Sequence, residues 1–193
     1  KWAPATKIKS KEVLLIAPGP KANDYKNEIE KYIVKKKPFV VALNINVEIN
    51  KSLIDIFVAC NPIKLIADSD LYKSLKSPLV VPESLLSNNL KKKFKNLKIL
   101  DFGVGVKANY FKFHKTGAIM PRLLNLVYAL SIASSGKASK ILLAGFDGYG
   151  SNHKRTKKLD ELFYLYSSIK DAIPIVAVTP TSYSITSTSI YSL

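Results

Sequence analysis

The chain has 193 residues, of which 47% are hydrophobic and 23% charged, as expected for a globular protein with its own core. One cysteine and two histidines exclude an internal disulfide and a zinc site of the usual Cys/His type. The formal net charge is +16, yet only Arg122 and Arg155 among the 30 basic residues are arginines. Because specific nucleic-acid readers rely on arginine, the lysine excess favours a solvated surface over a nucleic-acid site, with other anionic partners left open.

Short apolar runs alternate with helical patterns along the first hundred residues. The first run is followed by Pro18-Gly19-Pro20, which indicates a sharp turn after a buried strand. Asn23 or Asp24 is typical of a helix start, and Pro82 fits a first helical turn. The patterns predict strands at 13–17, 39–43, 54–59, 79–81 and 98–101, and helices at 23–36, 68–76 and 82–94.

The second half continues the alternation after a segment rich in glycine and aromatic residues. We predict a loop at 103–117, a helix at 121–135, a strand at 140–144, a helix at 156–171 and a strand at 175–178. The helix at 121–135 is apolar on nearly all sides, so we expect it to be the most buried helix.

The alternation of strands and helices predicts a Rossmann-like three-layer αβα sandwich with a mainly parallel sheet. We predict a linker at 1–11, one α/β domain at 12–181 and a flexible Ser/Thr-rich tail at 182–193. Trp2 in the linker suits docking on a neighbour, and the start at Lys1 suggests a piece of a longer protein. No run is long enough to span a membrane, so we expect a cytoplasmic location.

Small and polar residues follow the predicted strands. In an open parallel sheet, ligands bind outside the carboxyl ends of the strands. The alternative is that turns simply favour Gly, Pro, Asn and Asp. The sequence therefore predicts a polar ligand crevice at this edge, with Thr116-Gly117 leading into the buried helix. Its candidate residues are Gly19, Lys21, Asn44, Asn61, Thr116, Gly117, Asp147 and Tyr149.

Several candidates have a plain structural alternative. Asp147 either accepts a ribose or sugar hydroxyl or caps its own turn. His153 is the candidate general acid or base, although a solvated loop histidine is the commoner case. The single glycine of Pro18-Gly19-Pro20 does not make a pyrophosphate cradle, but the helix after it offers an N-terminus for one anion. We predict no metal site and no required cofactor, and expect Cys60 to be a buried filler.

Six sequence blocks at the strand ends resemble a known family. They are Leu-Ile-Ala-Pro-Gly-Pro-Lys (15–21), Ala-Leu-Asn (42–44), Ala-Cys-Asn-Pro (59–62), Thr-Gly (116–117), Leu-Ala-Gly-Phe-Asp-Gly-Tyr-Gly (143–150) and Thr-Pro-Thr (179–181). The set resembles the C-terminal domain of bacterial 4-hydroxy-2-oxovalerate aldolase-like (HMG-CoA-lyase-like) fusion proteins. The resemblance implies an aldolase-like TIM barrel in the same polypeptide, which holds the aldolase metal site, and a link to surface-polysaccharide synthesis.

The same blocks are more distantly similar to bacterial CMP-sialic acid sialyltransferases. This similarity implies that Asn44, Asn61, Thr116 and Gly117 contact CMP or another nucleotide-sugar. It also places Tyr149 near the phosphate and makes His153 the candidate base. The chain has Ala-Pro-Gly-Pro-Lys where these enzymes typically have Gly-Asn-Gly-Pro-Ser, so nucleotide binding is better supported than transfer.

Three functions follow from these observations. The first is a nucleotide- or nucleotide-sugar-binding domain with a glycosyltransferase-like site. The second is a non-catalytic scaffold that docks on an aldolase barrel or assembles a homo-oligomer, which predicts an exposed apolar patch. The third is a basic nucleic-acid-binding domain, which predicts a steep salt dependence of binding.

Overall fold

The computed structural model describes residues 1–150 and 153–193. Its ten strands are β1 (Glu12–Ile16), β2 (Phe39–Leu43), β3 (Ile56–Val58), β4 (Leu79–Val81), β5 (Ile99–Asp101), β6 (Gly103–Val106), β7 (Lys112–His114), β8 (Gly117–Met120), β9 (Lys140–Ala144) and β10 (Ile175–Ala177). Its helices are α1 (Ala5–Ile8), α2 (Pro20–Asp24), α3 (Lys26–Lys36), α4 (Pro62–Ala67), α5 (Ser69–Tyr72), α6 (Asn88–Lys93), α7 (Asn125–Ser135) and α8 (Lys154–Ser167).

Seven strands form one parallel sheet in the order β10-β9-β1-β2-β3-β4-β5. The chain runs outward from β1 to β5 on one side and then returns to place β9 and β10 on the other side of β1. The strand order therefore reverses between β1 and β9. Such a reversal opens a crevice at the carboxyl ends of the two strands, which is where open α/β sheets bind ligands.

Both faces of this sheet are covered, because successive side chains of a strand point to opposite faces. Val13 and Leu15 belong to a first core cluster that also contains residues of α1, α7 and α8. Leu14 and Ile16 belong to a second cluster with residues of α2 to α6. The structure thus confirms the predicted Rossmann-like three-layer αβα sandwich.

A small second sheet replaces the loop predicted at 103–117. Its strand order is β6-β8-β7, and Ala118 and Met120 pack in the first core cluster with α7. A Cβ on Gly117 would lie 2.7 Å from the Gly103 carbonyl oxygen, so glycine permits the close pairing of β6 with β8. The loop prediction was wrong because glycines are depleted in strands and conceal the apolar alternation.

The helix boundaries differ from the predicted ones where turns interrupt the pattern. The helix predicted at 23–36 begins at Pro20 and is broken at Tyr25. The helix predicted at 68–76 corresponds to the short α5, and α4 just before it was not predicted. The helix predicted at 82–94 is a 3₁₀ turn followed by α6. The buried helix begins at Asn125 rather than at 121, and ten of its 11 residues are buried, as expected.

The two terminal segments also lie on the domain. Ile8 of α1 is fully buried, and the Trp2 side chain packs against the first core cluster rather than projecting outward. The backbone at 186–190 bonds to Ala177 and Val178 at the edge of the sheet. Ile190 is only 5% exposed and packs in the second core cluster. The flexibility of the tail stays a prediction, and its described backbone lies along β10.

Across the described residues, no helix combines the length and apolar character needed to cross a membrane.

The packing of the last residues predicts a measurable contribution to stability. Ile190→Ala should lower the free energy of unfolding by about 2–4 kcal/mol, because it removes a buried aliphatic side chain. Ser187→Ala, at an exposed side chain three residues earlier, should change it by less than about 0.5 kcal/mol. Urea unfolding measures both; equal stabilities of the two variants would contradict the packed position of Ile190.

Candidate active site

The crevice between β1 and β9 is formed by the turns that follow these strands. A cavity of about 310 Å³ lies between residues 17–20 and 145–149, with Tyr183 beside it. This volume is at the lower end of the range of small-molecule sites. Of the residues predicted for the site, Gly19, Asp147 and Tyr149 line this cavity together.

Two glycines allow the turns to approach each other. A Cβ on Gly19 would lie 2.1 Å from the Gly145 carbonyl oxygen. Gly145 has a φ of +75°, and a Cβ there would lie 2.4 Å from the Ala17 carbonyl oxygen. No larger residue fits at either position without a shift of the backbone, so the shape of the crevice depends on both glycines.

Asp147 joins the two turns. Its Oδ2 accepts a hydrogen bond of 2.7 Å from the Lys21 backbone N–H, in the first turn of α2. Among the described residues, its buried Oδ1 has no hydrogen-bond partner. Burial raises the pKa of Asp147, and the bond from Lys21 opposes the rise. Asp147 therefore caps α2, although it lies 126 positions from Lys21 in the sequence. Neither of the two roles predicted for Asp147 included this cap. The anion expected at the N-terminus of α2 is thus the protein's own carboxylate.

Side chains from the turn after β10 hold the Asp147 loop. The Gly145 N–H donates to Thr179 Oγ1 over 2.9 Å, and Thr181 Oγ1 donates to the Phe146 carbonyl over 2.5 Å. The Ser182 N–H and hydroxyl both donate to the Asp147 carbonyl, at 2.9 and 2.8 Å. The blocks at 143–150 and 179–181 are thus one contiguous structure.

A second polar cluster lies at the neighbouring ends of β2 and β3. Asn125, the first residue of α7, donates through Nδ2 to Asn44 Oδ1. Asn125 Oδ1 accepts from the Cys60 N–H at 2.9 Å and from its thiol at 3.2 Å. Burial raises the pKa of Cys60 to about 12, so the thiol is not a nucleophile near neutral pH. Asn125 was not among the residues predicted for the site, because the helix was predicted to start four residues earlier.

Asn44 has a backbone conformation that few residues other than glycine adopt. Its φ is +66°, in the left-handed region, which asparagine tolerates better than most residues. Its side chain is half-buried at the carboxyl edge of the sheet. Its amide nitrogen makes no hydrogen bond to any described residue, so two N–H donors remain for a ligand.

Three other predicted residues have mainly structural positions. Asn61 caps α4, and its side chain accepts from the Ile63 and Lys64 N–H groups. Thr116 and Gly117 do not lead into α7; Gly117 begins β8 and pairs with Gly103. Strand pairing at this point leaves no helix N-terminus there, so that part of the prediction was wrong.

The Lys21 side chain projects from α2 and is exposed. Its Nζ pairs with Asp24 at 2.8 Å, and this neighbour raises the pKa of the lysine. Because both side chains are exposed, the pair contributes little to stability. The Lys21 side chain is not part of the cavity lining, although the charge of Asp147 also contributes to the raised pKa of the lysine.

His153 lies next to an exposed tyrosine but is oriented as a helix cap. Its ring centroid is 5.3 Å from that of Tyr149, and Arg155 lies 5.4 Å from the same tyrosine ring. His153 Nδ1 accepts the Arg155 backbone N–H at 3.1 Å. In the neutral ring the proton is then on Nε2, and Nδ1 is the nitrogen that could accept a proton. Nδ1 can act as a general base only after its hydrogen bond to the Arg155 N–H is released. Ser151 and Asn152, which begin this predicted loop, lie outside the described residues.

Across residues 1–150 and 153–193, no three His, Cys, Asp or Glu side chains are grouped so as to hold a metal ion. The polar groups at this edge of the sheet are suited to hydrogen bonding: the Asp147 carboxylate in the crevice and the asparagine amides of the neighbouring cluster.

No protein-family model matches the chain, and no curated protein matches it either.

The close contacts of Gly145 predict that adding one methyl group there lowers the stability of the fold. Gly145→Ala should lower the free energy of unfolding by about 3 kcal/mol, from the left-handed backbone and the contact with Ala17. In Gly105→Ala the added Cβ meets only an ordinary contact at 3.5 Å, so stability should change by less than about 0.5 kcal/mol. Denaturant unfolding distinguishes them, and a neutral Gly145→Ala would disprove the close approach of the turns.

The raised pKa of Asp147 predicts a pH-dependent stability. The folded state holds this proton to a higher pH than the unfolded state, so the contribution of Asp147 is full below the unfolded pKa. It is lost as pH rises through the folded pKa. The stability of wild type relative to Asp147→Asn should therefore fall over that pH range.

Asp70 serves as the control with the opposite sign. Its hydrogen bond to Lys73 lowers its pKa, so wild type should gain stability relative to Asp70→Asn as pH rises. Thermal unfolding between pH 3 and 7 measures both series. The burial of Asp147 would be contradicted if its series ran parallel to that of Asp70.

Proposed function

We propose that this domain binds a nucleotide or nucleotide-sugar in the crevice at the carboxyl edge of the sheet. Three features support the proposal: the reversal of strand order between β1 and β9, the cavity at that point, and the buried Asp147 Oδ1 without a partner among the described residues. The observation that carries it is Asp147, whose carboxylate is fixed by the Lys21 N–H through one oxygen while the other has no partner among the described residues.

A carboxylate in this position suits a hydroxyl-bearing ligand. One oxygen is already bonded, so the second accepts from a ribose or sugar hydroxyl without reorientation of the side chain. Because Asp147 already neutralises the first turn of α2, a phosphate is better placed toward Lys21 and Arg155 than on that helix.

The asparagine cluster extends the site along the sheet edge. Asn44 follows β2, two strand spacings from β9, which is about 10 Å along the edge. This distance suits a nucleoside with its hydroxyls at Asp147 and its base at the Asn44 amide. CMP is the first nucleotide to test, since the sequence resemblance to CMP-sialic acid sialyltransferases implies it.

Transfer of the sugar is a further step within this proposal. A transferase needs a base for the acceptor hydroxyl, and His153 uses its acceptor nitrogen to cap α8. Binding therefore has more support than catalysis. The aldolase-like barrel in the same polypeptide and the link to surface polysaccharides remain expectations from the sequence resemblance.

A scaffold is the second candidate, and one observation favours it. Ile63 and Ile66 of α4 are 78% and 57% exposed, and Leu71 of α5 is 51% exposed. Neighbouring exposed apolar side chains of this kind are typical of protein interfaces. The Trp2 side chain no longer supports this function, because it packs on the domain itself.

Nucleotide binding is tested by thermal shift and calorimetry with CMP, CDP, UMP, UDP, GDP and ADP. A ligand of the folded state raises the melting temperature by mass action. We expect a cytidine nucleotide to bind and Asn44→Gly, which keeps the left-handed backbone, to weaken binding about tenfold through loss of a hydrogen bond.

Asn109→Gly is the matched control. Asn109 also has a left-handed backbone, with a φ of +54°, but it is exposed between β6 and β7. Its replacement should leave nucleotide affinity unchanged. If no nucleotide shifts the melting temperature, the proposal is wrong and the scaffold becomes the better account.

A further inference from the structure

A larger cavity lies at the opposite end of the sheet from the proposed nucleotide site. Its volume is about 820 Å³, within the range of small-molecule sites. It is bordered by the C-terminal end of α7, the segment that precedes β10, the end of β7 and Ala5 of α1, and it opens to solvent. All of these segments lie at the amino ends of β1, β9 and β10, so the cavity shares no residue with the crevice.

The lining combines an apolar floor with a cationic rim. Phe113 and Ile173 are half-buried and belong to the apolar packing around α7. Lys115, Lys137 and Lys170 line the cavity, and Asp171 is the one acidic residue of the lining. None of these three lysines forms an ion pair with any residue in the described part of the chain. The cavity therefore presents an excess of positive charge beside an apolar surface.

A buried hydroxyl in the lining has no partner. Ser135 is only 9% exposed, and its Oγ makes no hydrogen bond to any described residue. Its neighbours on α7 differ: Ser131 Oγ donates to the Val127 carbonyl at 2.8 Å, and Ser134 Oγ lies 2.6 Å from the Tyr166 hydroxyl. A buried polar group without a partner costs free energy, and a ligand that bonds to it recovers this loss.

Lys137, which lines the cavity, has a left-handed backbone conformation that is unfavourable for lysine. A helix end commonly places glycine in the left-handed position, but here Gly136 has a φ of −74° and Lys137 has a φ of +56°. Gly136 is needed one residue earlier, because a Cβ there would lie 2.8 Å from Ile8. Lysine consequently occupies the strained position, and its side chain lines the cavity.

We propose that this cavity is a second ligand site, which binds a small organic anion with an apolar body. A carboxylate, sulfonate or phosphate-ester group is held by the lysines and the Ser135 hydroxyl. The apolar part of the ligand contacts Phe113 and Ile173. This inference does not depend on the proposed nucleotide function, since the two sites lie at opposite ends of the sheet.

Fluorescence titration with 1-anilinonaphthalene-8-sulfonate tests the site, with neutral N-phenyl-1-naphthylamine as the uncharged probe of the same shape. We expect saturable binding of the sulfonate to one site and weaker binding of the neutral amine. Lys137→Gly should weaken sulfonate binding about three- to tenfold by removing a charged partner. Excess CMP should not displace the sulfonate.

Lys37→Gly is the matched control. Lys37 also follows a helix in the left-handed conformation, with a φ of +53°, but it lies after α3 on the other face of the sheet. The two variants lose the same charge and gain the same backbone freedom, so only the cavity distinguishes them. Equal affinities in the two variants would show general attraction to a basic protein and would overturn the proposal, as would the absence of saturable binding.

Ser135→Ala separates a ligand role from a structural one. It removes an unpaired buried hydroxyl, so the melting temperature of the free protein should rise while sulfonate affinity falls. A higher melting temperature with unchanged affinity would remove Ser135 from the site. A lower melting temperature would show that its hydroxyl is satisfied within the protein.

Discussion

The contact between the turn after β1 and the turn after β9 is the constraint on which this molecule depends. Gly19 and Gly145 approach so closely that neither accommodates a Cβ, and Asp147 joins them by accepting the Lys21 N–H at 2.7 Å. The turn after β10 adds hydrogen bonds to the same loop. The point where the strand order reverses is thereby fixed in shape before any ligand binds, and preorganisation of this kind lowers the cost of binding.

This constraint also determines what the crevice can recognise. In many α/β proteins the helix after the first strand offers free N–H groups to a phosphate. Here Asp147 occupies that position, so the negative charge is supplied by the protein. In the proposed binding mode, hydroxyl groups therefore lie at the centre of the site and anionic groups toward Lys21 and Arg155. Asn44 and Asn125 continue the polar edge across β2 and β3.

The central sheet could be predicted from the sequence because its strands are continuous apolar runs between turn residues. The small sheet could not, since Gly103, Gly105 and Gly117 conceal its strands. The Asp147 cap joins residues 126 positions apart, and no local pattern encodes such a pairing. Asn44 was predicted as a site residue from its position after a strand, whereas Asn125 could not be, because α7 was predicted to begin four residues before it. The amino-end cavity likewise joins segments that are distant in the sequence.

The central claim is that ligands bind where β1 and β9 diverge. It is tested most directly by recording ¹H–¹⁵N correlation spectra of the domain during a titration with CMP. The account predicts saturable shifts of the Lys21 and Gly145 amides and of the Asn44 side-chain amide, with the Ser135 and Lys137 amides unmoved. Shifts confined to the amino-end residues, or no shifts at any concentration, would contradict it.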